Sequence, residues 1–182
     1  PFEKAVKSGA ATVMTSYNQV DGIPCTSNKR LLTDILRGEW GFDGFVYSDL
    51  YSIEVIHSLG AACDTAQAAS LALKAGLDMD LGGDAYGNNL KNELDKGAIS
   101  MDDINRAVAN VLRMKFRQGL FENPYVDPKR ARTTCRSTEH IAIAEQVAEE
   151  GVVLLKNDEV LPLSPTLGRI AVIGPNADTP YN

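Results

Sequence analysis

The strongest constraint on how this chain folds is a short apolar run that ends abruptly on two polar residues. The run Phe45–Tyr47 follows a glycine-punctuated turn, and Ser48 and Asp49 come directly after it. A short apolar run bounded by turn signals is typical of a buried strand. A carboxylate at the C-terminal tip of such a strand lies where barrel folds carry their functional residues. Asp49 is therefore the first candidate for a catalytic residue.

Short strand-like runs alternate with helical stretches over the first 120 residues of the chain. The predicted strands cover 11–17, 45–48 and 77–81, with a turn at 21–24. The predicted helices cover 28–37 and 64–74, and an amphipathic helix begins at Ser100, which forms a capping-box pattern with Asp103. Such alternation implies an α/β fold with a parallel sheet. Three strands fit part of a doubly wound sheet or part of a barrel, and alone they would leave two unpaired edges.

The sequence changes character at residues 121–138, which are polar and interrupted by Pro124 and Pro128. This composition predicts a domain linker. A helix over 138–150 and strands over 152–155 and 169–174 then predict the start of a second α/β unit. The expected domains are therefore 1–120 and 139–182, joined by the linker.

Charge and composition exclude several classes of protein. The net charge of −6 and the isoelectric point near 4.9 argue against a nucleic-acid-binding protein, which needs a basic face for the phosphates. No segment approaches the roughly 20 apolar residues of a membrane span. Cys25, Cys63 and Cys135 are far apart and odd in number, so we expect free thiols and neither a disulfide framework nor a zinc site.

Several blocks of sequence, in order and suitably spaced, resemble glycoside hydrolase family 3. The main blocks are 13–24, 31–44, Ser48-Asp49 and 151–157, with weaker support from 75–79 and 173–178. The resemblance implies an internal fragment of a longer protein. It would comprise the C-terminal part of a (β/α)₈ TIM-like barrel, the linker, and the beginning of an α/β sandwich domain.

Two residues match functional positions of that family. Asp49 corresponds to the nucleophile of a retaining glycosidase, which forms a glycosyl ester that water later hydrolyses. Tyr17 corresponds to a tyrosine that lines the sugar site near the nucleophile. Whether its neighbours Met14 and Asn18 also face the site is left open. The resemblance puts the acid/base beyond Asn182 and the residues that hold the sugar hydroxyls before the start of the chain. We therefore expect the isolated chain to be inactive and not to fold as a stable monomer.

Other polar residues near Asp49 are weaker candidates. Asp78, Asp80 and Asp84 are better explained as loop anchors than as metal ligands, because the resembled family requires no metal or other cofactor. Glu54, five residues after Asp49, is not expected to be the acid/base, because the resemblance gives that role to a glutamate of the sandwich domain beyond Asn182. His57 and His140 are expected at the surface or as loop anchors.

One position departs from the family pattern. Leu50 stands where many members have a tryptophan that helps to shape the sugar-binding cleft, so the sugar preference stays open. The resemblance favours a retaining exo-β-glucosidase acting on oligosaccharides or aryl β-glycosides. The alternatives are a β-xylosidase of the same family and a non-catalytic carbohydrate-binding fragment. A homo-oligomer is left open, and the family resemblance favours a periplasmic or extracellular location.

Overall fold

The structure is a computed structural model that describes residues 1–178. The chain divides into two units: the first is Pro1–Tyr125, and the second begins at Val126. The domain boundaries expected from the sequence stay a prediction. Within residues 1–178, no helix is both long and apolar enough to cross a membrane. All three cysteines are free, as predicted.

The first unit is organised around two short parallel strands. Strand β1 (Thr12–Met14) pairs with strand β4 (Phe45–Tyr47), in the register Thr12↔Phe45 and Met14↔Tyr47. The predicted strand at 45–48 is confirmed, and the one at 11–17 is shorter than expected. Parallel pairing of strands separated by helical structure confirms the α/β character, since parallel neighbours need a long crossover between them.

The predicted third strand at 77–81 is wrong as a continuous strand. Only Met79 forms a parallel bridge, with Tyr47. The physical reason is the side chain of Asp78, whose Oδ2 accepts the Val46 N–H at 2.8 Å. This carboxylate occupies the place of a backbone acceptor, so the ladder next to β4 is interrupted at that residue.

A hairpin follows β1 that the sequence analysis predicted only as a turn. Strands β2 (Gln19–Val20) and β3 (Ile23–Pro24) pair antiparallel. The two residues between them, Asp21 and Gly22, have φ angles of 53° and 77°. Positive φ at both central residues is the geometry of a type I′ turn, for which Asp-Gly is a preferred sequence.

The helices surround this small sheet. In the first unit they are α1 (Phe2–Lys7), a 3₁₀ turn (Cys25–Ser27), a π-helix (Arg30–Glu39), α2 (Ser52–Ser58), α3 (Thr65–Ala75), α4 (Ala85–Asp95) and α5 (Met101–Arg117). The predicted helix at 28–37 therefore exists but has the wider π spacing: the Trp40 N–H donates to the carbonyl of Ile35. The predicted capping box of α5 is confirmed, because Ser100 Oγ accepts from the Asp103 N–H and the Asp103 carboxylate accepts from the Ser100 N–H.

The main hydrophobic core of the first unit packs β4 against the π-helix that precedes it and the helices that follow it. Val46 at the centre of β4 is fully buried, as are Ile53 and Ile56 on α2. Helix α3 contributes four buried alanines to this core, at positions 68, 69, 72 and 75. Small side chains let a helix approach its neighbours closely, so these alanines bring α3 against α2 and the π-helix.

Residues 126–178, the described part of the second unit, contain two helices and irregular chain. Helix α7 (Thr138–Gly151) confirms the predicted helix, and α6 (Pro128–Thr134) lies within the segment predicted to be a linker. The predicted strands at 152–155 and 169–174 are wrong for this structure, where both segments are exposed and irregular. A strand needs a neighbour to accept its backbone hydrogen bonds, and residues 126–178 provide none.

Candidate active site

The carboxylate of Asp49 lies at the C-terminal end of β4. Ser48 is fully buried and continues the line of the strand, whereas Asp49 is only partly buried. Asp49 Oδ1 accepts the N–H of Leu50 at 2.7 Å. Among the described residues, Asp49 forms no salt bridge. A partly exposed carboxylate with no cationic partner is free to act on a ligand.

Tyr17 reaches the same place from the end of β1. The pairing of β1 with β4 continues past the strand, since the Thr15 N–H donates to the carbonyl of Tyr47 at 2.9 Å. The Tyr17 hydroxyl then donates to the carbonyl of Leu50 at 2.7 Å. Desolvation raises the pKa of Tyr17, and the neighbouring Asp49 carboxylate raises it further. The structure thus brings the two site residues predicted from the sequence next to each other.

The residues after Asp49 form one wall of this region together with the loop at 81–83. The Tyr51 N–H donates to the carbonyl of Leu81, and a β-carbon at Gly82 would collide with the side chain of Leu50. Tyr51 itself has a φ of 58°, a left-handed conformation that is uncommon for a residue with a side chain. Its ring is exposed, as is the side chain of Leu50.

Asp80 anchors the loop at 81–83. Its Oδ2 accepts the N–H of Tyr86 at 3.2 Å, and its Oδ1 accepts from the Ser48 hydroxyl at 3.5 Å. The Ser48 hydroxyl oxygen in turn accepts the N–H of Leu81 at 2.7 Å. These contacts fit the predicted loop-anchoring role of Asp80. Among residues 1–178, no group of three or more His, Cys, Asp or Glu side chains is placed to hold a metal ion.

Asp78 lies beside β4 in a buried ion pair. Its Oδ2 lies 2.5 Å from Arg37 Nη2, and its Oδ1 accepts from Asn110 Nδ2 at 3.0 Å. Burial raises the pKa of Asp78 and lowers that of Arg37, and the attraction between the two charges opposes both shifts. Arg37 also donates to the carbonyl of Gly44 at 2.9 Å, so the pair ties the π-helix to the start of β4.

The remaining candidate residues have contacts with other parts of the chain. Glu54, on α2, packs against Gly83, and its Oε2 is buried with no hydrogen-bond partner among the described residues. His57 Nδ1 lies 2.9 Å from the carbonyl oxygen of Ala62, which fits the predicted loop anchor. His140 lies on α7 in the second unit and is exposed.

Comparison with known proteins establishes the family. The profile described as "Glycosyl hydrolase family 3 N terminal domain" matches residues 1–114. The chain belongs to glycoside hydrolase family 3. This confirms the resemblance drawn from the sequence blocks, and it agrees with the mixed helix and strand content of the first unit.

Relatives of two activities cover nearly the whole chain. A periplasmic beta-glucosidase of Salmonella typhimurium is 40% identical over 185 residues, which is 98% of this chain and 24% of the relative. Beta-D-xylosidase 1 of Arabidopsis thaliana is 38% identical over 185 residues, with the same coverage of 98% and 24%. The chain therefore spans about a quarter of the length of these relatives.

Solved structures give the same result. The crystal structure of a beta-glucosidase from Listeria innocua superposes with a TM-score of 0.80 at 36% sequence identity. The superposition covers 88% of this chain and 22% of the Listeria chain. The chain thus shares the fold of a segment of that glucosidase.

Sequence reasoning missed several residues that build this region. The ion pair of Arg37 with Asp78 joins residues 41 apart, and the buried hydroxyls of Ser48 and Ser52 carry no motif that marks them as anchors. The one available signal was their position, since both serines flank Asp49 within a stretch that must leave the strand and start a helix.

Proposed function

We propose that this chain carries the nucleophile, Asp49, of a retaining exo-β-glycosidase that removes terminal β-D-glucosyl residues. The observation that carries the proposal is the position of the Asp49 carboxylate. It lies at the carboxyl end of a parallel strand, has no cationic partner among the described residues, and has the Tyr17 hydroxyl as its neighbour. In this proposal residues 1–120 are the last part of a (β/α)₈ barrel and residues 139–182 begin a sandwich domain.

The proposed reaction has two steps on opposite faces of the sugar, each of which inverts C1, so the β configuration is retained overall. In the first, an Asp49 oxygen attacks C1, the bond from C1 to the leaving oxygen breaks, and that oxygen takes a proton from an acid/base group. In the second, water attacks C1, the ester bond to Asp49 breaks, and the acid/base takes the proton of the water. We place the acid/base on a glutamate outside residues 1–182, so this chain supplies the nucleophile only.

Tyr17 would act on the sugar side of the nucleophile. A tyrosine hydroxyl is protonated at neutral pH even at its ordinary pKa, and the raised pKa of Tyr17 favours the same protonated, donating form. Its contact with the carbonyl of Leu50 fixes the ring beside Asp49. The ring edge and the remaining lone pair of the hydroxyl oxygen are then available to contact a sugar bound at Asp49.

A β-xylosidase is the second candidate, because relatives of both names match the chain with similar identity. Both activities would use the same nucleophile, and Leu50 removes an aromatic surface that could have discriminated between them. Turnover of aryl β-glucoside and aryl β-xyloside by the full-length protein separates the two. A preference of more than about tenfold for the xyloside would reverse the order.

The proposal is tested in the full-length protein by removing the carboxylate of Asp49 and supplying a small anion in its place. Asp49→Gly should lower kcat by a factor on the order of 10⁴ or more. Azide, added with a 2,4-dinitrophenyl β-glucoside, should restore turnover and give the α-glucosyl azide, since azide attacks C1 from the face that Asp49 vacated. Asp21→Asn, which removes an exposed carboxylate from the nearby hairpin, is the control and should keep full activity.

Two results would contradict this proposal. Retention of kcat in Asp49→Gly would show that another group is the nucleophile. Sugar binding without any turnover by the full-length protein would favour the third candidate, a non-catalytic carbohydrate-binding protein. A periplasmic or extracellular location of the whole protein is part of the proposal, supported by the relative named as periplasmic, and is tested by cell fractionation.

A further inference from the structure

Three buried hydroxyl groups meet beneath the Asp49 segment. Thr15 Oγ1 lies 3.0 Å from Thr26 Oγ1, Thr26 Oγ1 donates to Ser52 Oγ at 3.1 Å, and Thr15 Oγ1 lies 3.4 Å from Ser52 Oγ. All three residues are almost completely inaccessible to solvent, with relative exposures of 4%, 1% and 1%. We call Thr15, Thr26 and Ser52 the hydroxyl cluster.

The hydroxyl cluster joins the segments that carry both proposed site residues. Thr15 follows β1 and precedes Tyr17 by two positions, and Ser52 opens α2 three positions after Asp49. Thr26 comes from a third segment, the 3₁₀ turn after the hairpin. The Ser52 N–H also donates to the backbone carbonyl of Asp49 at 3.1 Å. A shift of any member therefore moves Tyr17 or Asp49.

The cluster is costly to disturb because its members satisfy one another. Each hydroxyl has one proton to donate, and three mutual contacts are enough to pair all three protons in a ring. Buried hydroxyl groups without partners are unfavourable, and linked hydrogen bonds strengthen one another in a poorly polar interior. Removing one member leaves the others short of a partner and frees the segments to move apart.

We infer that the hydroxyl cluster sets the position of the Asp49 carboxylate relative to Tyr17, and that Thr26 is a positioning residue for nucleophilic attack. The inference rests on the proposed function. Thr26 contributes through Thr15 and Ser52 and not by touching the sugar. Small displacements of a nucleophile are expensive in rate, since a misplacement of about 1 Å can cost about 10²-fold.

The test is the rate at which a 2-deoxy-2-fluoro-β-glucosyl fluoride traps the full-length protein. Thr26→Val keeps the shape of the side chain and removes the hydroxyl. We expect its first-order inactivation constant to fall about 10- to 100-fold, with the inhibition constant of gluconolactone changed by less than about twofold. Thr26→Ser keeps the hydroxyl and should restore the rate. Ser70→Ala removes a buried hydroxyl bonded to Glu93 and serves as the matched control with a normal rate.

The outcomes separate the inference from the proposed function. If wild-type protein is not trapped at Asp49, the proposed function fails. If wild type is trapped and Thr26→Val is trapped equally fast, the inference fails. It also fails if Thr26→Ser is as slow as Thr26→Val, because packing of the methyl group would then explain the loss. If Thr26→Val does not fold, Ser52→Ala replaces it, since alanine suits the first turn of a helix, and the same criteria decide the result.

Discussion

From the buried ion pair of Arg37 with Asp78, beside β4, we derive a quantitative prediction for Asp78→Asn. The Asp78 side chain is 0% exposed and the Arg37 side chain 17% exposed. Every partner of the carboxylate is a donor: Arg37 Nη2, the Val46 N–H and Asn110 Nδ2. Asparagine offers one acceptor atom and one NH₂ group, so its NH₂ must face at least one of these donors. The substitution therefore removes the negative charge and also places the asparagine NH₂ against another hydrogen-bond donor.

The expected loss of folding free energy is a large fraction of the stability of a domain. Breaking a buried ion pair by removing one partner costs about 3–5 kcal/mol, against a total of about 5–15 kcal/mol. The control is Asp95→Asn, which breaks the pair of Asp95 with Lys91, whose side chains are 61% and 83% exposed. An exposed pair one turn apart on a helix is worth only about 0.3–0.5 kcal/mol.

Hydrogen exchange of the full-length protein measures this locally. Peptides covering β4 report the opening free energy of the strand that Asp78 holds, without assuming that a large protein unfolds in one step. We expect Asp78→Asn to lower that free energy by about 3 kcal/mol or more. A loss below about 1 kcal/mol, no larger than that of Asp95→Asn, would refute the reasoning that the buried pair stabilises the strand.

Two further predictions concern stability, one comparing two glycine substitutions and one on the pH dependence of Asp103→Asn. A β-carbon at Gly44 would overlap the carbonyl oxygen of Ala11 and lie 2.7 Å from Phe42 Cζ, so Gly44→Ala should destabilise by about 1–3 kcal/mol or more. In contrast, a β-carbon at Gly87 in α4 would meet no atom within 4 Å outside the backbone of its own helix, so Gly87→Ala should raise the opening free energy of α4, measured by hydrogen exchange of the full-length protein, by about 0.5–1 kcal/mol, and the reverse order would contradict this. Hydrogen bonds from Ser100 lower the pKa of Asp103, so its contribution to stability is complete above the unfolded value near pH 4 and is lost as the pH falls through the lower folded value. The opening free energy of α5, measured by hydrogen exchange of the full-length protein at pH 2–6, should therefore show the gap between wild type and Asp103→Asn closing at the acid end, and a constant gap would contradict it.

Local signals in the sequence predicted much of the first unit. The apolar run that forms β4, the helix α3 begun by Asp64, and the capping box at Ser100 depend on residues within a few positions of one another. Propensity and capping act over such short distances, so pattern reasoning captured them. The parallel pairing of β1 with β4 followed from the alternation of strands and helices.

The errors arose where a structure depends on distant residues. The apolar pattern of residues 77–81 makes Asp78 look like one more strand residue. The pattern contains no information that its carboxylate will accept the Val46 N–H. The strands predicted at 152–155 and 169–174 depend on neighbours that residues 126–178 do not contain. Apolar runs of this kind specify a tendency to be buried, and only a pairing partner turns that tendency into a strand.

The candidate site divides in the same way. The family resemblance pointed to Asp49 and Tyr17, and the parallel ends of their strands explain why the structure places them together. The hydroxyl cluster could not be predicted from the sequence, since it joins three segments whose residues carry no shared motif. Hydroxyl residues are common in loops, and only their mutual burial distinguishes these three.

The identity of the nucleophile is tested most directly by locating the trapped sugar. The full-length protein is inactivated with a 2-deoxy-2-fluoro-β-glucosyl fluoride, digested at low pH, and its peptides are sequenced by mass spectrometry. We expect one added fluoroglucosyl group, bound as an ester to Asp49. An ester on a different carboxylate, such as Asp80 or Glu54, or an enzyme that turns over substrate without being trapped, would contradict it.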